Sequence, residues 1–154
     1  MRPSPADFSG NGALDVKDVR LLVEEIKAGT HDPSFDITQD ALVNSGDMTV
    51  WVHDHANTWF GDANLDLQFN SADMVQVFAA GKYETGENAT WGEGDWNADL
   101  EFSSGDMVAA FVAGGYEQGA KPAVSAVPEP STICGAVVAL LLALQRGRRR
   151  SDCR

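Results

Sequence analysis

Four twelve-residue segments of the chain place short oxygen-bearing side chains at the same five positions, and this repeat constrains the fold more than any other feature. The clearest copy, DANLDLQFNSAD, begins at Asp62, and the others begin at Asp7, Asp36 and Asp95. Numbered in chain order as loops 1 to 4, the segments carry only Asp, Asn, Ser or Thr at positions 1, 3, 5, 9 and 12. Such residues favour turns, so each segment is predicted to be a loop.

The spacing of these side chains is the one a calcium ion requires. A calcium loop of about twelve residues supplies side-chain oxygens from positions 1, 3, 5, 9 and 12 and a main-chain carbonyl from position 7. The predicted ligands are Asp7, Ser9, Asn11, Ala13, Asp15 and Asp18 in loop 1; Asp36, Thr38, Asp40, Leu42, Asn44 and Asp47 in loop 2; Asp62, Asn64, Asp66, Gln68, Asn70 and Asp73 in loop 3; and Asp95, Asn97, Asp99, Glu101, Ser103 and Asp106 in loop 4.

The distribution of aspartate separates this interpretation from ordinary turns. Before the C-terminal tail the chain has fourteen Asp residues, and twelve of them occupy predicted ligand positions. Turn formation explains any single loop, but unrelated turns would not place Asp in one register four times. The sequence therefore predicts Ca²⁺ as the cofactor.

The charge balance supports the same prediction. Residues 1–130 carry six Lys or Arg and twenty-two Asp or Glu, a net charge of -16. This excess disfavours nucleic acid as a partner, and it opposes compact folding unless cations neutralise it. Both cysteines, Cys134 and Cys153, lie in the tail, so no disulfide is expected in the acidic part of the chain.

Each loop is followed by apolar residues at helical spacing, which predicts one buried helix face per unit. The predicted face residues are Val19, Leu22, Val23 and Ile26; Met48, Trp51, Val52 and His55; Met74, Val77, Phe78 and Gly81; and Met107, Ala110, Phe111 and Gly114. Gly29, Gly81 and Gly114 are predicted to end helices. Position 8 is apolar in every loop, which favours a short β bridge between paired loops. The fold class is therefore all-α and loop-rich, built from calcium loop-helix units with a C-terminal apolar helix.

Internal repeats define the domain organisation. Residues 62–86 and 95–119 share fifteen identities in twenty-five aligned positions. We expect a first calcium-binding pair at 7–60, a second pair at 61–119, a linker at 120–130 and a membrane-directed tail at 128–150. Each pair is small for a hydrophobic core, so metal binding is expected to contribute to folding.

The loop-helix units resemble the duplicated calcium segments of type I dockerins, within the wider EF-hand family. The resemblance implies docking to a cohesin-like or other extracellular protein. Dockerin loops carry a recognition pair, typically Ser-Thr, at positions 10 and 11. The corresponding pairs are Val16-Lys17, Ser45-Gly46, Ser71-Ala72 and Ser104-Gly105, of which three keep the serine and none the threonine. Position 12 is Asp and not the EF-hand Glu, and only loop 1 has Gly at position 6.

The C-terminal tail resembles a PEP-CTERM sorting signal of secreted bacterial proteins. The sequence Val127, Pro128, Glu129, Pro130, Ser131 precedes an apolar run at 133–144 and an Arg cluster. The resemblance implies processing by an exosortase-type protease, transient membrane anchoring and a place at the cell surface or outside the cell. Because residues 1–6 are too short for an export signal, the chain is expected to be the end of a longer secreted protein.

Other sites are weaker alternatives. His53 and His55 suggest a transition-metal site, but residues two apart on a helix do not share a face. Trp96 is expected to be exposed at loop position 2, where it offers a sugar contact. The residues show no catalytic constellation, so no enzyme activity is predicted.

Three hypotheses for the function remain open. The first is a calcium-dependent docking module, attached to a polysaccharide-degrading or adhesive protein. The second is a calcium-rigidified spacer without a specific partner, and the third is the non-catalytic end of a truncated hydrolase.

Overall fold

The computed structural model describes residues 4–122 as a helical chain without a β-strand in that range. Four α-helices follow the four loops: α1 (Val16–Ala28), α2 (Ser45–Val50), α3 (Ser71–Ala79) and α4 (Ser104–Val112). A π-helical segment, Trp51–His55, continues α2, and a 3₁₀ turn, Trp91–Glu93, precedes loop 4. The predicted helical fold class is thus confirmed for these residues.

Every α-helix begins at loop position 10, three residues earlier than the apolar pattern predicts. The residue at position 9 is the N-cap, and the Asp at position 12 completes a capping box by accepting from the N-cap backbone N–H. A capping box satisfies backbone donors that no helical carbonyl reaches. The last predicted ligand of each loop therefore lies in the first turn of its helix.

The helix stops are confirmed. Gly29 is the left-handed C-cap of α1, with its N–H donating to the Glu25 carbonyl, and Gly81 and Gly114 follow α3 and α4 with positive φ angles. Left-handed glycine at this place commonly ends a helix.

The predicted helix faces are confirmed for α1 and α2 and only in part for α3 and α4. Val19, Leu22 and Val23 are buried, as are Met48, Trp51 and Val52. Phe78 and Phe111, however, are 47% and 45% exposed. Each of these two rings packs at an interplanar angle of 53° to 60° against a neighbouring Phe and Tyr instead of entering the core.

The hydrophobic core joins both halves of the chain, residues 7–60 and 61–119. Buried residues of each half, including Leu22, Trp51, Phe69 and Trp96, belong to one cluster. Three Trp indole N–H groups donate to main-chain carbonyls at the loop entries, from Trp51 to Ala6, from Trp91 to Asp62 and from Trp96 to Trp91. The core therefore fixes the backbone at the start of loops 1, 3 and 4.

The expected bridge between paired loops is wrong in its partners. Phe69 of loop 3 bridges Tyr116, and Phe102 of loop 4 bridges Tyr83. Each position-8 Phe thus pairs with the Tyr that follows the helix of the other unit, and its carbonyl accepts the backbone N–H of the Glu after that Tyr. Glu84 and Glu117 supply these N–H groups, at 2.8 Å in both cases.

No helix within residues 4–122 combines the length and the apolarity that crossing a membrane requires. The predicted sorting motif at 127–131 and the apolar segment at 133–144 lie outside the described residues.

Candidate metal centres

Each loop folds back on its position-1 aspartate. In loop 4, Asp95 accepts backbone N–H bonds from Ala98, Asp99 and Leu100 at 2.9, 3.2 and 3.0 Å. The bond from position 6 is present in every loop, from Gly12 to Asp7, Ala41 to Asp36, Leu67 to Asp62 and Leu100 to Asp95. The position-1 carboxylate therefore faces the inside of a tight ring.

The position-12 aspartate closes the same ring from the helix side. Asp106 accepts N–H bonds from Trp96 and Asn97 at 2.9 and 3.0 Å, and from Ser103 at 2.8 Å. The position-12 aspartates of all four loops have no exposed surface: Asp18, Asp47, Asp73 and Asp106. A buried carboxylate is unfavourable unless it is hydrogen-bonded or paired with a cation.

The ring requires left-handed backbone at two positions. Position 6 has positive φ in Gly12, Ala41, Leu67 and Leu100, as the calcium-loop pattern predicts. Position 4 has it as well, in Gly10, Gln39, Leu65 and Ala98, which the sequence pattern did not indicate. Such angles are unfavourable by about 1–2 kcal/mol for residues with a Cβ.

The position-7 carbonyl is free to bind an ion in each loop. The main-chain oxygens of Ala13, Leu42, Gln68 and Glu101 accept no hydrogen bond from residues 4–122. The N–H of each of these residues is satisfied by the side-chain oxygen of position 5, at 2.8 to 3.0 Å. Loop closure therefore uses the donors of this segment and leaves an acceptor available.

Loop 4 brings three carboxylates together. One oxygen each of Asp95, Asp99 and Asp106 lies within 4.8 Å of the others, the one acidic group of this kind in the described range. Oxygens that bind one calcium ion at about 2.3–2.6 Å lie no more than about 5 Å apart. The three carboxylates therefore fit a calcium-sized cation, although other divalent cations also bind oxygen.

Burial makes the ionised form of Asp95 in loop 4 unfavourable. Loss of solvation, reinforced by repulsion from Asp106, raises the pKa of Asp95 to about 7. A bound cation would reverse this effect by stabilising the ionised form.

Loop 3 also buries its position-1 and position-12 aspartates, and it has one additional donor. Burial raises the pKa of Asp62 to about 6, opposed by a hydrogen bond from the buried hydroxyl of Thr58. The pKa of Asp73 is also raised by burial, against backbone N–H bonds from Asn70 and Ala63. The repeat does not indicate a role for Thr58, because the corresponding residue before loop 4 is Trp91.

Loops 1 and 2 hold their ligands closer to solvent. Asp7 and Asp36 are partly exposed, whereas Asp62 and Asp95 are buried. Burial acts to raise the pKa of Asp36, but N–H bonds from Ala41, Gln39 and Asp40 outweigh it and lower the pKa.

Two glycines that the sequence pattern did not single out shape the second half. Gly61 and Gly94 immediately precede loops 3 and 4, with φ of 96° and 110°. A Cβ at either position would lie within 2.6 Å of the position-8 Phe ring of its own loop. The Gly-Asp dipeptide at both loop starts was the available signal.

The alternative sites are not assembled. Trp96 is fully buried, so the expectation that it is exposed for a sugar contact is wrong: its ring packs between Phe69 and Phe102. His53 contacts Lys121 and the edge of Phe60, while His55 lines a separate small cavity.

Comparison with protein families, with curated proteins and with solved structures finds no match for this chain.

Proposed function

We propose that this chain is a calcium-dependent docking module at the end of an exported, surface-sorted protein. It has no catalytic role of its own in this proposal. Its four loops bind Ca²⁺, and the bound ions allow a strongly acidic chain to hold a helical surface for a protein partner.

The observation that carries the proposal is the recurrence of one oxygen set in all four loops. A carboxylate from position 1, a buried carboxylate from position 12 and an unpaired carbonyl at position 7 accompany each helix start. Hard cations prefer such oxygen sets, and an all-oxygen loop without thiol or imidazole favours Ca²⁺ over zinc. Because three loops have a non-glycine residue at position 6, we expect the affinity of extracellular calcium modules, on the order of 0.1–1 mM or somewhat tighter.

Chelation of calcium tests this proposal directly. We expect the full chain to lose most of its helical circular dichroism in excess chelator and to regain it with calcium, because the net charge of residues 1–130 must otherwise be confined without counterions. Magnesium at equal concentration is the control and should restore less signal, since it requires a tighter octahedral shell. A spectrum that chelator leaves unchanged would refute calcium-dependent folding.

Exposed apolar residues on α3 and α4 favour docking over a spacer without a partner. Val75, Val108 and Val112 are 69%, 62% and 80% exposed. Val108 and Val112 are four residues apart on α4 and therefore share one helix face, and exposed apolar residues that lie side by side are typical of interaction sites. A cohesin-like or other extracellular protein is the partner class that the dockerin resemblance suggests.

Capture from the secreted proteins of the native host tests the docking step. We expect a partner to be retained with calcium and released by chelator, and the double variant Val108→Ser, Val112→Ser to lose it while keeping its calcium-dependent helicity. Equal retention by the variant, or no calcium-dependent partner, would favour the spacer.

The C-terminal tail is proposed to act as a removable sorting signal. An apolar run of twelve residues at 133–144 is shorter than the roughly 20 that span a bilayer, and its Arg cluster resists crossing the membrane. We expect cleavage near Pro128-Glu129-Pro130 by an exosortase-type protease, leaving a product without Cys134 and Cys153. Mass spectrometry of the surface fraction would contradict this if it recovered peptides extending through Arg146.

A further inference from the structure

Helix α1 begins in loop 1 and ends on loop 4. Its N-cap Asp15 and its third residue Asp18 are predicted ligands of loop 1. In its last turn, the Lys27 ammonium donates to the main-chain carbonyl of Asp99, at 3.1 Å. The thirteen residues of α1 span about 20 Å, so one rigid element contacts two loops that belong to different halves of the chain.

Helix α1 and loop 4 also line one cavity. Val23 of α1 and Leu100 of loop 4 line a cavity of about 350 Å³ together with Trp91. Leu100 holds position 6 with a φ of 68°, and its carbonyl accepts the N–H of Ala89 at 2.7 Å. The left-handed turn of loop 4 therefore borders the same cavity as α1 and is hydrogen-bonded to the segment before Trp91.

The corresponding turn of loop 3 has different neighbours. Leu67 is 39% exposed and lines a small cavity with Leu14 and His55 of the first half, whereas Leu100 is partly buried against the core and shares its cavity with α1. Loop 4 has the Lys27 contact only when α1 is formed.

The stability of α1 depends in turn on loop 1. A helix of thirteen residues is marginal in water without support at its ends. Asp15 and Asp18 form the capping box at its beginning, and a cation bound by the oxygens of loop 1 would hold both carboxylates in that geometry. Cation binding to loop 1 therefore favours the formed helix.

We propose that α1 couples loops 1 and 4, so that calcium in either loop raises the affinity of the other. This inference rests on the proposed calcium function. Because coupling between binding sites is reciprocal and typically amounts to about 5- to 150-fold, we expect an effect of fivefold or more in each direction.

The test is a calcium titration of the full chain followed by NMR, with the amide of Glu101 reporting loop 4. The variant Asp7→Ala removes a ligand of loop 1 without altering the capping box of α1. We expect it to weaken calcium binding at loop 4 at least fivefold. The matched control is Asp36→Ala in loop 2, whose helix α2 donates no described hydrogen bond to loop 4, and it should change loop 4 by less than twofold.

Lys27→Met then tests whether the contact between Lys27 and Asp99 carries the coupling. In a double-mutant cycle, the effect of Asp7→Ala on loop 4 should fall below twofold in the Lys27→Met background, whatever Lys27→Met does alone. Hydrogen exchange gives a second readout: calcium should protect the amides of residues 22–27 in Asp7→Ala and protect them at least fivefold less in the double variant.

The outcomes separate the two proposals. If the Glu101 amide titrates with the same midpoint in the unmodified chain and in Asp7→Ala, the coupling is refuted and calcium binding stands. If no loop amide responds to calcium, both proposals are refuted.

Discussion

The two halves of the chain use the same loop motif with different supports. In residues 61–119 the position-1 aspartates are buried, an aromatic cluster lies under both loops, and each unit contributes a Tyr-Glu pair to the other. In residues 7–60 the position-1 aspartates are partly exposed, and Leu14 and Val43 replace the position-8 Phe rings. The motif therefore specifies the ligand positions, while the surroundings set how much charge the loop must bury.

The first test of this comparison places a side-chain atom where a Phe ring of the second half already lies. Gly94→Ala would place a Cβ 2.4 Å from the Phe102 ring at a φ of 110°. Overpacking and a strained backbone together should lower the free energy of unfolding in calcium by about 3 kcal/mol or more.

Gly10→Ala in loop 1 is the matched control for this variant. Gly10 also has a positive φ, 69°, but open space surrounds its Cβ position. Its cost should be only about 1 kcal/mol. Chemical denaturation checks both values, and equal costs would mean that the Phe102 contact does not constrain loop 4.

The second comparison uses pH in the absence of calcium. Because burial raises the pKa of Asp95 to about 7 and that of Asp62 to about 6, these groups stabilise the fold when protonated. Their contribution is complete below the unfolded pKa of about 4 and is lost as pH rises through 6 to 7.

The first half should respond in the opposite sense. The pKa of Asp36 is lowered by backbone N–H bonds that outweigh burial, so its contribution is present above the unfolded pKa and is lost on acidification. We expect residual structure of the second half, followed in chelator by hydrogen exchange, to be more stable by about 1–3 kcal/mol at pH 5 than at pH 8. A second half that loses stability on acidification to pH 5 would contradict the assignment.

How much of this difference the sequence predicts depends on the range of the interaction. The ligand register, the helical class and the glycine stops are local, and all follow from residues within about one loop-helix unit. The partner of Phe69 is not local: the repeat shows a Tyr after the helix of each unit, Tyr83 and Tyr116, but not which of the two pairs with Phe69. The Lys27 contact with Asp99 joins residues far apart in sequence, and no periodicity predicts it. Metal binding itself remains a prediction from the ligand pattern.

The third comparison replaces one buried charge. Asp95→Asn keeps the shape of the side chain but removes the ionised form that burial and Asp106 disfavour. In chelator at pH 8 we expect hydrogen exchange to show residual structure of the second half that is more stable by about 1–2 kcal/mol. In calcium the same variant should bind more weakly, because a carboxylate ligand is lost.

The control for Asp95→Asn is Asp36→Asn at position 1 of loop 2. Since Asp36 is partly exposed and its pKa is lowered, this variant should weaken calcium binding without stabilising the calcium-free chain. Hydrogen exchange in chelator separates the two variants, and stabilisation by both would show that burial does not distinguish the halves.

The smallest expected effect concerns the Tyr-Glu pairs through which each unit of the second half contacts the other. Glu117 accepts the Ser71 N–H at 3.2 Å, and Glu84 accepts the Ser104 N–H at 2.9 Å, so each carboxylate lies at the first turn of the other unit's helix. Residues 4–122 provide no such carboxylate for Val16 or Ser45 in the first half. A negative charge at a helix N-terminus contributes about 0.3–1 kcal/mol and is screened by salt.

Glu84→Gln and Glu117→Gln should each lower the free energy of unfolding by that amount at low ionic strength and by less in 0.5 M salt. The exposed Glu87, which accepts no described side-chain bond, gives the control Glu87→Gln with no change. A loss of similar size in 0.5 M salt would mean that the Glu side chains act through packing and not through charge, and the Tyr-Glu pairs would then add only the two backbone bridges to the second half.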